Sequence, residues 1–302
     1  MDDGKGFYYS IFFQNTPDRR VSVDLSPRNI TMSKDHPPIP SWIIPKPPPR
    51  KKGELLHPAK FPETLIEEFV KIFTKKGDSV FDPMVGTGSA VLASTRIGRN
   101  GYGMDISEEY AKMAQDRLRE DFPLTLFEKD MKERPRYEIV CGDATKMDEL
   151  GIFENIEFDY CITSPPYWSM LRNTGSEYQR SRRRKDLPLF YSDDDRDLGN
   201  IKDYGQFLRA LTEVYNAVAS RLVESGYLTI IVKNVKRKHV IYPLAWDLVS
   251  ELCRPGGLYT YVGNTFWCQD DVPMKPFAVG IVWVSNTVHQ YCLHFQKKPE
   301  LP

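Results

Sequence analysis

Hydrophobic and polar positions along this chain follow two patterns, one typical of helices and one typical of strands, and segments of the two kinds alternate. After Pro62, the apolar residues Leu65, Ile66, Phe69 and Val70 recur at the three- and four-residue spacing of a buried helix face. The short run 79–81 that follows is typical of a buried strand. The same alternation predicts helices over 89–97, 108–119, 204–222 and 244–252, and strands over 100–104, 138–141, 160–163, 227–232, 279–284 and 289–295.

Strands that alternate with helices predict an α/β fold with a mostly parallel sheet and helices on both faces. Seven strand candidates are present, so we expect a seven-stranded sheet. The last two, 279–284 and 289–295, have no helix between them. They are therefore expected to form an antiparallel hairpin at the edge of the sheet.

Residues 1–56 differ in character from residues 57–302. Prolines crowd 37–49 and the basic run Arg50-Lys51-Lys52 follows them. Because proline removes amide donors and favours extended backbone, this segment is interpreted as an arm without regular structure, apart from an aromatic start at 7–13 that is able to add an edge strand. We expect the arm to pack on its own domain; contact with nucleic acid is the alternative.

Composition narrows the class of protein. The chain has 302 residues, 41% of them hydrophobic, with 41 Lys and Arg balanced by 41 Asp and Glu. This is typical of a folded protein, and zero net charge means that any nucleic-acid partner must be held by a local patch. No run approaches the roughly 20 apolar residues of a membrane helix. We therefore expect a cytoplasmic protein.

The five cysteines are scattered, and most lie in apolar runs. Neither a disulfide framework nor a metal cluster is indicated by such spacing, so we interpret them as reduced core residues and expect no metal.

The first candidate ligand-binding motif lies at the first strand-to-helix junction, Phe81-Asp82-Pro83-Met84-Val85-Gly86-Thr87-Gly88-Ser89. A glycine turn at this place lets a ligand approach the backbone, and open α/β sheets bind ligands at such junctions. Val91 stands where a dinucleotide fingerprint has its third glycine, which argues against an NAD site. Asp105 ends the next strand and could accept from ribose hydroxyls; Asp143 ends the one after and could accept from an adenine amino group.

The most specific motif is Thr163-Ser164-Pro165-Pro166-Tyr167-Trp168, after the fourth strand. Two prolines stiffen the backbone and so fix the direction of the Ser164 hydroxyl and the Pro165 carbonyl. Both are acceptors for one exocyclic amino group, and Tyr167 offers a ring on which a planar base can stack. A plain proline turn with a buried aromatic residue is the alternative.

Together these motifs resemble the S-adenosylmethionine (SAM)-dependent amino-methyltransferases of nucleic acids, which combine an Asp-Pro-Phe-x-Gly-x-Gly loop with an (Asp/Asn/Ser)-Pro-Pro-Tyr tetrapeptide. His57-Pro58-Ala59-Lys60-Phe61-Pro62-Glu63 and the strand 289–295 are similar to two further motifs of that family, so that the resemblance covers about 54–298. Met84 replaces the usual Phe. The resemblance implies a Rossmann-like class I methyltransferase fold.

The resemblance also implies roles for individual residues. SAM would be held by the loop residues and strand ends, namely Lys60, Phe61, Asp82, Pro83, Gly86, Thr87, Gly88, Asp105, Ile106, Asp143 and Ala144. The target base would be held by Ser164, Pro165, Pro166 and Tyr167. A serine at the first position of the tetrapeptide is commoner in enzymes that methylate cytosine N4 than in those that methylate adenine N6.

Further contacts to the nucleic acid are expected outside the tetrapeptide. Trp168 and Trp267 are candidates for stacking, with core packing as the equal alternative. Residues 169–200 are expected to form an insertion that recognises the substrate, and Arg182, Arg183 and Arg184 within it are candidates for phosphate contact, although an acidic stretch follows them. Cys161 is expected to be a buried strand residue rather than a nucleophile.

Only about 75 residues separate the glycine turn from the tetrapeptide, so no large recognition domain fits between them. The sequence thus predicts a methyltransferase that acts on cytosine N4 in DNA, extruding the base from the duplex. Cytidine N4 of ribosomal RNA, in mono- or dimethylation, and adenine N6 in DNA remain alternatives. Two further hypotheses are a nucleic-acid-binding protein that has lost catalysis and a small-molecule methyltransferase.

Overall fold

Polar residues cap two of the long helices. The Ser107 hydroxyl accepts from the amide of Tyr110, and the Asp203 carboxylate accepts from the amide of Gln206. In the computed structural model the helices are α1 (Glu63–Phe73), α2 (Ser89–Arg96), α3 (Glu108–Asp121), α4 (Tyr204–Arg221) and α5 (Leu244–Leu252). Each begins within one residue of its predicted start.

The structure describes residues 38–45, 61–122, 134–147, 149, 151, 153–168, 196–237, 240–269, 276–279, 282–285 and 287–299. All of them lie in the compact unit formed by 37–302. Our predicted boundary between arm and domain, at 56/57, lies outside the described residues.

The strands are β1 (Trp42–Ile43), β2 (Ser79–Asp82), β3 (Asn100–Asp105), β4 (Tyr137–Cys141), β5 (Phe158–Thr163), β6 (Leu222–Val232), β7 (Val235–Arg237), β8 (Val240–Tyr242), β9 (Tyr259–Cys268), β10 (Pro276–Val279), β11 (Val282–Ser285) and β12 (His289–Lys297). Eight of them form one sheet in the order β1-β9-β12-β6-β5-β2-β3-β4. In this sheet β12 alone runs antiparallel to its neighbours, β6 and β9.

The antiparallel part of the sheet differs in detail from the prediction. β12 pairs with β9, a strand that the sequence analysis did not predict, whereas the run 279–284 falls in the separate β10–β11 hairpin. Gly263, at φ +137°, and Asn264 interrupt the apolar pattern of β9, and the register with β12 shifts there. The absence of regular structure predicted for the arm was also wrong at one place, because Trp42–Ile43 pair with Phe266–Trp267 as an eighth strand.

Helices cover both faces of the sheet, as predicted. On one face α1 and α2 bury Leu65, Phe69 and Ala93 against Val80; on the other, Phe81 packs in the same cluster as residues of α4 and α5. Successive side chains of a strand point to opposite faces, which explains why Val80 and Phe81 serve different layers. Because β2, β3, β4 and β5 pair in parallel, their carboxyl ends meet at one edge of the sheet.

Candidate active site

A cavity of about 340 Å³ opens at this edge of the sheet. Its walls come from the glycine turn, from the ends of β3 and β4, from the proline tetrapeptide, and from α4 with the segment before it. Several predicted site residues line it, namely Phe61, Pro83, Gly86, Thr87, Asp105, Ile106, Asp143, Ala144, Ser164, Pro165 and Pro166. The structure thus brings the two most specific sequence motifs to one space.

The turn between β2 and α2 is held in shape from the neighbouring strand. The Gly86 amide donates to Oδ2 of Asp105 at 2.8 Å, and the Val85 amide donates to the Met104 carbonyl, also at 2.8 Å. Gly88 adopts φ +82°, and a Cβ added there would lie 2.9 Å from Cβ of Ala114. Glycine is therefore required at position 88 both by the backbone conformation and by the close approach of α3.

Two acidic side chains mark the ends of β3 and β4. Burial raises the pKa of Asp105 to about 6, although the amides of Ser107 and Gly86 both donate to this carboxylate and oppose the shift. Oδ1 of Asp143 accepts from the amide and the hydroxyl of Thr145 at 2.9 and 2.6 Å. Both side chains line the cavity, held in place by their own loops.

Asp82 is placed differently from the other two acids. It is 1% exposed and lies beneath the cavity rather than in its lining. The Thr163 hydroxyl donates to its Oδ1 at 2.6 Å and the Met84 amide donates to the same atom at 3.0 Å, while Oδ2 has no hydrogen-bond partner among the described residues. Burial raises the pKa of Asp82 to about 7. Asp82 therefore connects the glycine turn to the residue before Ser164.

The proline tetrapeptide runs from the cavity toward β12. Ser164 and Pro166 are half-buried and line the cavity together with the buried Pro165. Tyr167 is also half-buried, and its hydroxyl donates to Oε1 of Gln290 at 3.3 Å. Tyr167 lies outside the cavity lining and extends the site toward the antiparallel part of the sheet.

Sequence reasoning named no site residue on one wall of the cavity, although the start of this wall falls in the predicted insertion 169–200. This wall is formed by Arg196, Asp197, Leu198, Ile201, Ala210, Glu213 and Val214, from α4 and the turn before it. Asp197 caps the short 3-10 turn 198–200 by accepting from the Gly199 amide at 2.8 Å, and its charge contributes to the raised pKa of Asp105. The Asp-x-Gly turn was visible in the sequence, but nothing local indicated that it would face the cavity.

The two tryptophans predicted to stack on substrate are packed inside the protein. Trp168 is 2% exposed, with the rings of Tyr204 and Tyr242 at 5.1 and 4.8 Å and the Arg237 guanidinium 4.9 Å above it. Trp267 is 5% exposed in the cluster of α1. The structure therefore places both tryptophans in the core, which was the alternative to stacking on the substrate. Lys60, Arg182, Arg183 and Arg184 lie outside the described residues.

The cysteines are all free thiols, but not all lie in the core. Cys161 and Cys292 are buried, whereas Cys141 is exposed. Burial holds the pKa of Cys161 well above its ordinary value, so this thiol stays protonated, as expected for a strand residue. Among the described residues no cluster of metal-ligating side chains is present, and none of the helices is long and apolar enough to cross a membrane.

The order of the sheet, the reversed β12, the glycine turn after β2 and the acids after β3 and β4 define the chain as an α/β protein of the Rossmann-like class I methyltransferase fold. Comparison with known proteins shows which family part of the chain is similar to. Residues 11–116, about a third of the chain, match the N6/N4 DNA methylase family. The family match and the curated relatives support the N4/N6 amino-methyltransferase family for this chain.

Two curated relatives are Type II methyltransferases. M2.DpnII of Streptococcus pneumoniae is 42% identical over 62 residues, which are 20% of this chain and 23% of that protein. M.HpaI of Haemophilus parainfluenzae is 39% identical over 71 residues, 24% of this chain and 23% of that protein. The chain thus matches less than a quarter of the length of either relative. Among solved structures, TrmN from Thermus thermophilus aligns with 78% of this chain and 48% of its own, at 11% identity and a TM-score of 0.45.

Proposed function

We propose that this protein transfers a methyl group from SAM to the exocyclic amino group of a base in DNA, with cytosine N4 as the preferred acceptor. One observation carries the proposal: the Gly86–Thr87 turn and the Ser164–Pro166 segment line the same cavity. A donor bound at the turn and an acceptor bound at the tetrapeptide would therefore meet in one cavity, which is the arrangement that direct transfer requires.

The charges around the cavity fit the donor. Four of the described lining residues are acidic, Asp105, Asp143, Asp197 and Glu213, against one basic residue, Arg196. SAM supplies an electrophilic methyl group on a positively charged sulfonium. Following the family resemblance, Asp105 would accept from the ribose hydroxyls, and Asp143 from the adenine amino group. Both carboxylates already have fixed orientations, so little reorganisation would accompany binding.

The acceptor nitrogen must be activated, because the lone pair of an exocyclic amino group is delocalised into the base. Oγ of Ser164 and the carbonyl of Pro165 would accept its two hydrogens and favour a pyramidal nitrogen whose lone pair points into the cavity. Methyl transfer would then be a direct displacement in which the nitrogen–carbon bond forms as the carbon–sulfur bond breaks, the donor would leave as a neutral thioether, and the nitrogen would lose one proton to water. No covalent intermediate on Cys161 is involved, since that thiol is 0% exposed.

DNA is the preferred polymer because the matching family model describes a DNA methylase and the curated relatives are Type II methyltransferases. A base in a duplex is stacked and must be extruded to enter such a cavity. Serine in place of aspartate at position 164 supports cytosine over adenine. Cytidine N4 in ribosomal RNA is the second candidate, supported by the absence of a large recognition domain between the two motifs.

The proposal is tested with tritiated SAM and three substrates: unmodified genomic DNA, unmodified ribosomal RNA and a small-metabolite extract. We expect label in DNA, and nucleoside digestion should release N4-methylcytosine. Release of N6-methyladenine would overturn the cytosine assignment alone. Label in RNA only would move the substrate to the second candidate, and label in the metabolites only would make the protein a small-molecule enzyme. No label in any of them, with SAM still bound, would indicate a binding protein without catalysis.

A further inference from the structure

A row of aromatic side chains crosses the antiparallel part of the sheet. Trp42 pairs with Phe266 across β1 and β9, and Phe266 pairs with Tyr291 across β9 and β12. Registered partners in neighbouring strands point to the same face of a sheet. The three rings therefore lie side by side on one face, and the rings of Phe266 and Tyr291 are 5.5 Å apart.

Two more rings join this row. His289 lies 5.4 Å from Phe266 and 5.1 Å from Tyr291, and Trp246 of α5 lies 5.7 Å from Tyr291. We call Trp42, Phe266, Tyr291, His289 and Trp246 the aromatic platform. It is open to solvent: Trp42 is 64% exposed, Trp246 40% and Phe266 37%. Exposed aromatic rings grouped in this way are typical of a binding surface rather than of a core.

The aromatic platform adjoins the candidate active site. Because β12 runs antiparallel, its first residues lie at the sheet edge where the parallel strands end, and Tyr291 is paired with Val232 at the end of β6. Between His289 and Tyr291 stands Gln290, which accepts from the Tyr167 hydroxyl at 3.3 Å. The aromatic platform and the tetrapeptide that we assign to the target base therefore lie at the same end of the sheet, although the Gln290 side chain that contacts Tyr167 points to the face opposite the platform.

Positive charge lies beside the rings. Burial is the largest cause of the lowered pKa of His289. Lys233 and Lys236, which follow β6, lie close enough for their positive charges to lower it further. The Nζ of Lys233 donates to Oε1 of Gln269, just beyond β9, at 3.0 Å, which places this ammonium group at the same end of the sheet. Aromatic rings combined with neighbouring cations suit a polyanion with planar bases better than an apolar protein surface.

We propose that the aromatic platform binds the single-stranded nucleotides that flank the extruded base, with their bases stacked on the rings and their phosphates near Lys233 and Lys236. This inference rests on the proposed function, because it takes the substrate to be a nucleic acid. It adds a surface that lies outside the cavity and holds the strand on the β12 side of Tyr167. Stacking of this kind depends little on sequence, so the platform contributes affinity rather than recognition of a particular site.

The test uses a fluorescein-labelled oligothymidylate of about 12 nucleotides, a length typical of single-strand sites. Trp42→Ala/Trp246→Ala removes the two most exposed rings, and its dissociation constant from anisotropy is expected to rise about five- to a hundredfold. Trp42→Phe/Trp246→Phe keeps rings at both positions and should bind nearly as well as the wild type. Leu258→Ala is the matched control, since Leu258 is 44% exposed at the opposite end of β9.

Two further measurements separate the outcomes. Affinity for SAM and the melting temperature should stay the same in all variants, so that a loss of oligonucleotide binding reports on the platform alone. If the double alanine variant binds like the wild type while the wild type methylates DNA, the inference is overturned and the proposed function stands. If that variant only loses self-association in light scattering, the platform is an interface between copies and the inference is also overturned. A wild type that neither binds nor methylates nucleic acid overturns both.

Discussion

The hydroxyl of Thr163 donates to Oδ1 of Asp82 at 2.6 Å, and this hydrogen bond joins the two loops on which the proposed chemistry depends. Asp82 precedes the glycine turn and Thr163 precedes Ser164. Both residues are fully or almost fully buried, at 1% and 0% exposure. The distance between the donor loop and the acceptor loop is therefore set by a contact inside the protein, before any ligand is bound.

Replacing Thr163 tests this connection. Thr163→Val keeps the shape of the side chain but removes the donor and leaves a buried carboxylate with one fewer partner. The free energy of unfolding in urea should fall by about 1 to 3 kcal/mol. Thr163→Ser retains the hydroxyl and should lose much less; an equal loss in both variants would mean that the methyl group, rather than the hydrogen bond, matters.

Gly88 and Gly77 form a matched pair for the backbone of the turn. Both have positive φ, +82° and +89°, but a Cβ at Gly88 would meet Ala114 at 2.9 Å, whereas a Cβ at Gly77 would meet nothing within 4 Å. Gly77→Ala should cost about 1 to 2 kcal/mol from the left-handed conformation alone. Gly88→Ala should cost about 1 to 3 kcal/mol more, because α2 and α3 must move apart. Thermal unfolding of the two variants gives the comparison; equal shifts would show that helix contact adds nothing.

His294 should make stability depend on pH. It is 0% exposed, and burial lowers its pKa to about 4. The Thr265 hydroxyl donates to the Pro40 carbonyl at 2.6 Å, so Nε2 of His294 must donate to Thr265, and Nδ1 is left to accept from Thr229. Only the neutral ring satisfies both hydroxyls.

The unfolded chain binds this proton near pH 6.5, well before the folded protein does, so stability is complete above pH 6.5 and is lost as the pH falls toward 4. The loss from this residue should reach about 3 kcal/mol. His294→Gln has a side chain that does not titrate, and its free energy of unfolding should lack this part of the pH dependence. Parallel curves for the two proteins over pH 4 to 7 would contradict the assignment.

Asp105 should control affinity for SAM. Its folded pKa is about 6, so the carboxylate is ionised above that pH and becomes neutral below it. Binding of SAM measured by calorimetry should therefore weaken as the pH falls through 6. Asp105→Asn should bind about 10- to 100-fold more weakly at pH 8, as expected for losing a hydrogen bond to a charged group, and should lose the pH dependence.

Ser164→Ala is expected to behave in the opposite way. It removes one of the two acceptors proposed for the amino group, so affinity for SAM should be unchanged, while kcat for methyl transfer falls about 100-fold. Loss of SAM affinity in this variant would place Ser164 in the donor site instead.

Local sequence patterns sufficed where an element has a single clear period. α5 was predicted with the bounds that the structure shows, β2 and β5 were found from short apolar runs, and β3 was found in spite of Gly101 and Gly103 because it lies between two predicted helices. β9 was missed because Gly263 and Asn264 stand in its middle, and a strand with such a break is recognisable only from its pairing with β12.

The residues of the candidate site also fall into two groups, those that local sequence motifs predicted and those that they did not. Residues on the glycine turn and in the tetrapeptide were predicted because their function demands unusual local sequences. The wall from Asp197 to Val214 was not, since ordinary helix residues face the cavity there only as a result of how α4 packs on the sheet. The burial of Trp168 also depends on distant partners, Tyr204 and Tyr242, that no local motif connects to it.

The direction of β12 has a consequence for how this protein can change. The connection from β9 to β12 starts and finishes at the edge that carries the cavity, whereas the turn from α5 to β9 lies at the far edge. Residues added to that connection would enlarge the surface next to the reacting groups without disturbing the ladder on either side. Related proteins that bind different substrates can therefore differ in the length of this connection while they keep the same sheet.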